Sequence, residues 1–221
     1  MLLTLCVAQK VDAAPTIVDL GTLGGTYSIA IDVNDFGHVV GTSTRSANNS
    51  DYHAFLWKDG QMTDLGSLDG GSNKGGGINN SGQVVGYEYS SRTGAARAFL
   101  YQNGVMVDLG TGEGSAAYDI NNNGEIVGGV GFNAFLYRNG VISNLRSPSG
   151  EYTSAFAIND NGQIAGEINP DGKGSSSRNV SVSFPQLLIF VAVFVGVVSW
   201  VQKRGVVGGN DSDARRLRHA A

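Results

Sequence analysis

Three short markers recur in the same order along this chain, roughly every 40 residues, and that periodicity restricts it to a repeat architecture. The first marker is Asp19-Leu20-Gly21, returning as Asp64-Leu65-Gly66 and Asp108-Leu109-Gly110, with a degenerate Asn144-Leu145. The second is Val33-Asn34-Asp35-Phe36-Gly37, then Ile78-Asn79-Asn80-Ser81-Gly82, Ile120-Asn121-Asn122-Asn123-Gly124 and Ile158-Asn159-Asp160-Asn161-Gly162. A further glycine follows each, at Gly41, Gly86, Gly128 and Gly166. The third marker is Ala54-Phe55-Leu56-Trp57, then Ala98-Phe99-Leu100-Tyr101 and Ala134-Phe135-Leu136-Tyr137.

Each unit reads as four short strands. Asn-x-x-Gly between apolar residues supplies the positive-φ positions of a tight hairpin. The β-branched run after it, such as Val39-Val40-Gly41, suits a strand. The Ala-Phe-Leu-Trp run alternates its rings to one side, Phe55 with Trp57 and Phe99 with Tyr101. Lys58-Asp59-Gly60, Gln102-Asn103-Gly104 and Arg138-Asn139-Gly140 then turn the chain into the Asp-Leu-Gly strand. No stretch before residue 184 has a helical period. The fold class expected is therefore all-β, of repeated four-stranded antiparallel units, β-propeller-like, followed by one transmembrane helix. Counted from the Asp-Leu-Gly marker, a repeat domain over 15–184 divides into units at about 16–61, 62–105, 106–141 and 142–184. The last unit is incomplete, and strands at 16–20 and 179–184 are the pieces expected to finish it and close a four-bladed ring; a shortened member of a longer array is the rival reading.

Composition agrees with short elements joined by tight turns: 33 glycines against 4 prolines, with 41% hydrophobic and 15% charged residues. The formal charge of −4 and the absence of a basic stripe before residue 202 exclude a nucleic-acid partner. The single cysteine, Cys6, precedes the repeats, which therefore hold neither a disulfide nor a thiolate metal site.

The markers resemble the HAF family of probable extracellular repeats. The likeness rests on Asp19-Leu-Gly-Thr-Leu-Gly-Gly25, on the Ile-Asn-x-x-Gly-Gln-Val-Val-Gly type run and on His53-Ala54-Phe55-Leu56-Trp57, and it covers residues 16–168. It implies a secreted or surface-anchored protein and supplies no activity. The His of the motif survives only at His53, being Arg97 and Asn133 in later units, and no Pro-Glu-Pro signature precedes the C-terminal segment.

The two ends fit an envelope route. Residues 1–14 read as a signal peptide shortened at its charged end, with small residues at Ala13-Ala14. Over 185–201 the chain reads as a transmembrane helix, Leu187–Val201 being LLIFVAVFVGVVSWV without a charge. Trp200 at its trailing edge and Lys203-Arg204 behind it form a stop-transfer pattern. Residues 202–221, with Arg215, Arg216 and Arg218, then form a basic cytoplasmic tail.

Catalytic signatures are lacking: there is no Gly-x-Ser-x-Gly elbow, and the histidines His38, His53 and His219 have no metal-ligand spacing. The chain reads as a non-enzyme that calls for no cofactor. Asp119, Asn121 and Asn123 match the first half of a calcium loop, but its twelfth position is Val130 in place of a glutamate, so the metal reading is weak. The leading function is a membrane-anchored extracellular binding module for an unknown surface ligand, glycan or protein. Its candidate contacts are Arg45, Tyr52 and His53 in and beside the Thr42–Tyr52 loop, and Tyr87, Tyr89 and Arg92 in the Tyr87–Arg97 loop. Two alternatives stand beside it. One is an architectural or decayed repeat protein without activity. The other is an envelope polysaccharide hydrolase using Glu88, Glu113 and Glu151, the carboxylates that break the repeat phase.

Overall fold

The computed structural model describes residues 17–47, 51–147, 150–170, 178–182 and 191–192. The expected leader and tail lie outside these residues, as does the expected membrane span apart from Val191–Ala192, which form a short strand of the fourth sheet and not part of the expected helix. Among the described residues no helix is long and apolar enough to cross a membrane.

Four antiparallel sheets follow one another along the chain. The first holds β1 (Ser28–Val33), β2 (Val39–Thr44), β3 (Tyr52–Lys58) and β4 (Gln61–Asp64). The second holds β5 (Asn73–Ile78), β6 (Val84–Tyr89), β7 (Ala96–Gln102) and β8 (Val105–Asp108). In the third are β9 (Ser115–Ile120), β10 (Ile126–Val130), β11 (Asn133–Arg138) and β12 (Val141–Leu145). The fourth is built from β13 (Tyr152–Ile158), β14 (Ile164–Asn169), β15 (Arg178–Val182) and the two-residue β16 (Val191–Ala192). The architecture is all-β, with strands paired in sequence order.

Two expectations need correction. Gln61–Asp64 pairs with β3, so the strand ending in Asp64-Leu65-Gly66 is the outer strand of the first sheet. Counting from the Asp-Leu-Gly marker assigned it to the following unit, so the sheets divide the chain one strand later than 61/62, 105/106 and 141/142. Residues 17–22 form no strand, and Ile17 and Val18 are exposed, so none of the described residues before β1 joins the fourth sheet. Its third strand is β15, paired with β14 from Ile164↔Val182 to Ile168↔Arg178.

The second turn of the first three units is a two-residue hairpin with both central φ values positive: Asp59-Gly60 (52° and 81°), Asn103-Gly104 (53° and 80°) and Asn139-Gly140 (52° and 79°). That type I′ geometry follows the right-handed strand twist, which explains why Asp or Asn precedes glycine each time.

The sheets stack in chain order, each inner strand lying on the sheet before it: β5 on β1, β2 and β3, β9 on β5, β6 and β7, and β13 on β9, β10 and β11. Alternate residues of one strand therefore serve two interfaces. Val84 and Phe99 pack back against Val40 and Ala54 of the first sheet. Val85 and Leu100 pack forward against Ile120, Ile126 and Phe135 of the third. Val127 and Leu136 repeat the arrangement against Ile158 and Ile164. Each side chain so buried contributes about 1.5–3 kcal/mol.

In the first three sheets the glycine behind the Asn-x-x-Gly turn makes room for a ring. Gly41 sits opposite Phe55, Gly86 opposite Phe99 and Gly128 opposite Phe135, and a Cβ at any of them would lie 2.7–2.8 Å from the ring. In the fourth sheet Val180 stands opposite Gly166, and a cavity of about 20 Å³ opens beside it, lined by Ala134, Ile164 and Ile168. Val180→Phe is expected to fill that space and stabilise the chain by about 1 kcal/mol, read as a rise in thermal midpoint; a fall would mean that the space cannot accept a ring.

Candidate functional site

The repeat markers prove to be latches between and within sheets. In each turn the Asn carbonyl oxygen accepts two backbone N–H groups, as Asn79 does from Ser81 and Gln83, both at 3.0 Å. Its amide nitrogen donates onward to the backbone carbonyl of the next turn: Asn34 to Asn79, Asn79 to Asn121 and Asn121 to Asn159 at 3.1, 3.2 and 2.9 Å. A second latch joins each Ala-Phe-Leu strand to the start of the next inner strand. The Ala54, Ala98 and Ala134 N–H groups donate to Asn73, Ser115 and Thr153 side-chain oxygens at 2.8–2.9 Å. The aspartate of Asp-Leu-Gly accepts the N–H of its own glycine, at 2.8 Å for both Asp64 and Asp108.

These bonds settle what several candidate residues do. His53 is buried, with Nδ1 2.7 Å from Asp64 and Nε2 3.5 Å from Asp51, so it is a partner of these aspartates and not the expected ligand contact. Arg97 takes its place in the second unit, 3.5 Å from Asp108 and 2.9 Å from Asp69. Arg45 is held by Asp51 through Nε and Nη2 at 2.8 and 2.6 Å. Arg92 is exposed on the loop after β6 and does not line the cleft described below. The calcium candidates are committed elsewhere. Asp119 accepts the Ile120 and Ile158 N–H groups at 2.8 and 2.7 Å, Asn121 accepts from Asn123 and Glu125, and the Asn123 amide donates to the Asp160 carbonyl. Among the described residues no group of His, Cys, Asp and Glu is placed to hold a metal ion.

The hydrolase carboxylates are likewise dispersed. Glu88 is fully buried and accepts the Leu68 and Asp69 N–H groups at 2.6 and 2.9 Å. Glu151 accepts from the Ser147 hydroxyl at 2.7 Å, and Glu113 is exposed on the loop before β9.

A cleft forms where the four inner strands converge. In every sheet the inner strand carries one residue more than its partner, between Ala30 and Asp32, Gly75 and Ile78, Ala117 and Asp119, and Ala155 and Ala157. A bulge turns its extra residue away from the ladder. The residues at these bulges, Ile31, Gly76, Tyr118 and Phe156, all line one cleft of about 570 Å³. Tyr27, Tyr52 and Tyr87 complete an aromatic wall, and Lys74 is the one cation among the described lining residues. Tyr27 meets Tyr52 edge-on with centroids 6.2 Å apart, Tyr118 lies 5.5 Å from Phe156, and Tyr87 stands edge-on to Tyr89 at 5.6 Å. Burial pushes the Tyr87 and Tyr118 phenols up, so both are neutral donors at neutral pH. Of the six contacts expected from sequence, Tyr52 and Tyr87 line this cleft and Tyr89 touches Tyr87. Tyr27, Tyr118 and Phe156 were missed.

Carboxylates outside the cleft predict the acid response. Asp69 is held well below the ordinary 3.8 by the Ser91 N–H and Ser90 hydroxyl, and Asp160 is lowered by the Asn122 side chain and N–H. At Asp64 burial opposes the shift, but bonds from His53 and Gly66 outweigh it and the pKa falls. A lowered folded-state pKa gives stability that is present above the unfolded value and lost as pH falls through the folded one. Asp119, raised chiefly by burial, acts in the opposite sense, its contribution being lost as pH rises above 3.8. With three lowered and one raised, the thermal midpoint is expected to hold near neutrality and fall as pH drops below about 4, with Asp69→Asn flattening the fall; a midpoint that rises on acidification would refute these assignments.

The fold and cleft define a class: a propeller-like stack of four-stranded sheets with a concave aromatic site at its axis. A family model described as "Protein of unknown function (DUF3466)" matches residues 18–108, the first two sheets. No curated protein matches the chain. Among solved structures, it is similar to TolB from Acinetobacter baumannii, with TM-score 0.55 and 12% identity over 75% of this chain and 43% of that one. The likeness is one of fold, and the chain spans less than half the length of the TolB chain.

Proposed function

We propose that this protein is a binding module displayed in the cell envelope or on the cell surface, with the axial cleft as its ligand site and Leu187–Val201 as its membrane anchor. The aromatic cleft is the observation that carries this reading. It is concave, largely apolar and edged by phenol hydroxyls, the composition of a site that stacks rings and fixes them by a few hydrogen bonds. A neutral glycan suits it best: its pyranose faces would lie on Tyr118 and Phe156 while its hydroxyls meet the phenols. With Lys74 the one cation among the described lining residues and a formal charge of −4, polyanions are disfavoured. The HAF-type markers, the apolar start of the chain and the Lys203-Arg204 flank support the envelope route.

Topology is the test of display. An epitope inserted after Asn48 and another at the C-terminus are expected to behave differently in a diderm host whose outer membrane has been opened: protease cuts the first and spares the second. Protection of both, with the chain in the soluble fraction, would sink the anchored reading. The 42–52 loop itself is expected to be dispensable for binding, because Arg45 is engaged by Asp51 and, among the described residues of the loop, Thr42 and Tyr52 at its ends line the cleft. Exchanging 46–50 for a Gly-Ser link should leave ligand uptake within about twofold.

A further inference from the structure

The three interfaces between sheets share one plan, and both ends of the stack carry that plan unfilled. Ile78, Ile120 and Ile158, which open the Asn-x-x-Gly turns, are 5%, 4% and 7% exposed because each packs into the sheet before it. Val33, the same position in the first sheet, is 60% exposed. At the other end, Val40, Val85 and Val127 are fully buried against the following sheet, whereas Ala165, their counterpart in β14, is exposed.

The polar latches stop at the same two places. Asn159 holds its own turn and donates to Gln163 at 2.7 Å, but no described turn follows to receive its amide as Asn79 receives that of Asn34. Within the stack the N–H of Asp35, Asn80 and Asn122 donates to the side chain one unit on, and the series ends at Asp160. Ser28 donates to the Gly21 carbonyl at 2.8 Å, as Asn73 donates to Gly66 at 2.9 Å; yet Asn73 also accepts the N–H of Ala54 from the sheet before. By register Asn179 occupies the Ala54 position in β15, and it is exposed.

We propose that the fourth sheet of one copy packs head to tail on the first sheet of a second copy. That contact repeats each internal latch: Asn159 to the Asn34 carbonyl, the Asp160 N–H to Asp35, the Asn179 N–H to Ser28, with Val33 entering beside Ala165. A second copy is the occupant because the chain carries both halves of the interface, one at each end of the stack. The contact is heterologous, so it closes into a ring or runs on as a filament according to the rotation per copy. It does not depend on what the cleft binds.

Cross-linking the full chain in membranes tests this. In a Cys6→Ser background, Asp35→Cys and Asp160→Cys are placed on separate, differently tagged copies and treated with a short bismaleimide. Asp35→Cys with Asn80→Cys in one copy serves as the positive control, since Asn80 already bonds Asp35 at 2.6 Å. The expected product is a mixed-tag species of twice 23.0 kDa, reduced about tenfold by Val33→Glu, which would bury a charge at the contact. A second arm carries both cysteines on one copy. The proposal is overturned if the control links and the mixed-tag species is absent, or if the 35–160 link forms only within single copies.

Discussion

Gly128→Ala is expected to lower the unfolding free energy by about 3 kcal/mol or more, and with it the thermal midpoint by roughly 10 °C. The neighbouring Gly129→Ala should change stability by no more than about 0.5 kcal/mol. A Cβ on Gly128 would meet the Ala116 carbonyl oxygen and lie 2.8 Å from the Phe135 ring, both held by the packing of the sheet. One on Gly129 would come no nearer than 3.9 Å to any side chain. Phe135 is fully buried in the cluster joining the second and third sheets, so it has no open space to yield into. Equilibrium denaturation of both variants reads the contrast; equal costs would mean that the ring-over-glycine contact does not constrain the fold.

Asn121→Ala should cost about 3 kcal/mol, and Asn159→Ala about 1 kcal/mol. Asn121 is buried, accepts from two backbone N–H groups, and donates both to Glu125 and across to the Asn159 carbonyl. Removing it orphans those groups in a site that water does not reach, where each unmet bond costs its full desolvation. Asn159 makes the same bonds to its own turn but is exposed, so water replaces what alanine cannot provide. Urea titrations of the two variants measure the difference, and equal losses would refute the latch as the reason for the motif.

The sequence markers disclosed the architecture because each is a structural device that every unit needs. The Asn of Asn-x-x-Gly latches turn to turn, Asp-Gly and Asn-Gly close the outer hairpins, and Phe-over-Gly fills the space between sheets. What they did not disclose follows from physics that a marker cannot encode. Ile17 and Val18 look like strand residues, yet the sheet they were expected to join already has β15. His53 lies beside the Thr42–Tyr52 loop and so reads as a loop contact; only the recurrence of Asp64 and Asp108, in register with Phe55 and Phe99 two residues further along that motif, signals its pairing.

The cleft was half legible. Tyr52 and Tyr87 stand out in the sequence as aromatics suited to recognition, and both, carried on β3 and β6, line it. Tyr118 and Phe156 sit at the same step ahead of Asn121 and Asn159 as Ile31 does ahead of Asn34. That shared phase was the available signal. Reading it requires knowing that a bulge falls there in every sheet and rotates those side chains towards the axis.

The most direct measurement is a glycan array of neutral and acidic oligosaccharides probed with the purified full chain, wild type beside Tyr118→Ala and Arg92→Ala, each checked by thermal melting. Binding to neutral members is expected, weakened about tenfold or more by Tyr118→Ala, which removes a stacking ring, and untouched by Arg92→Ala. Binding that survives Tyr118→Ala, or a profile confined to acidic members, would contradict the cleft as the ligand site. A blank array would contradict the glycan reading itself.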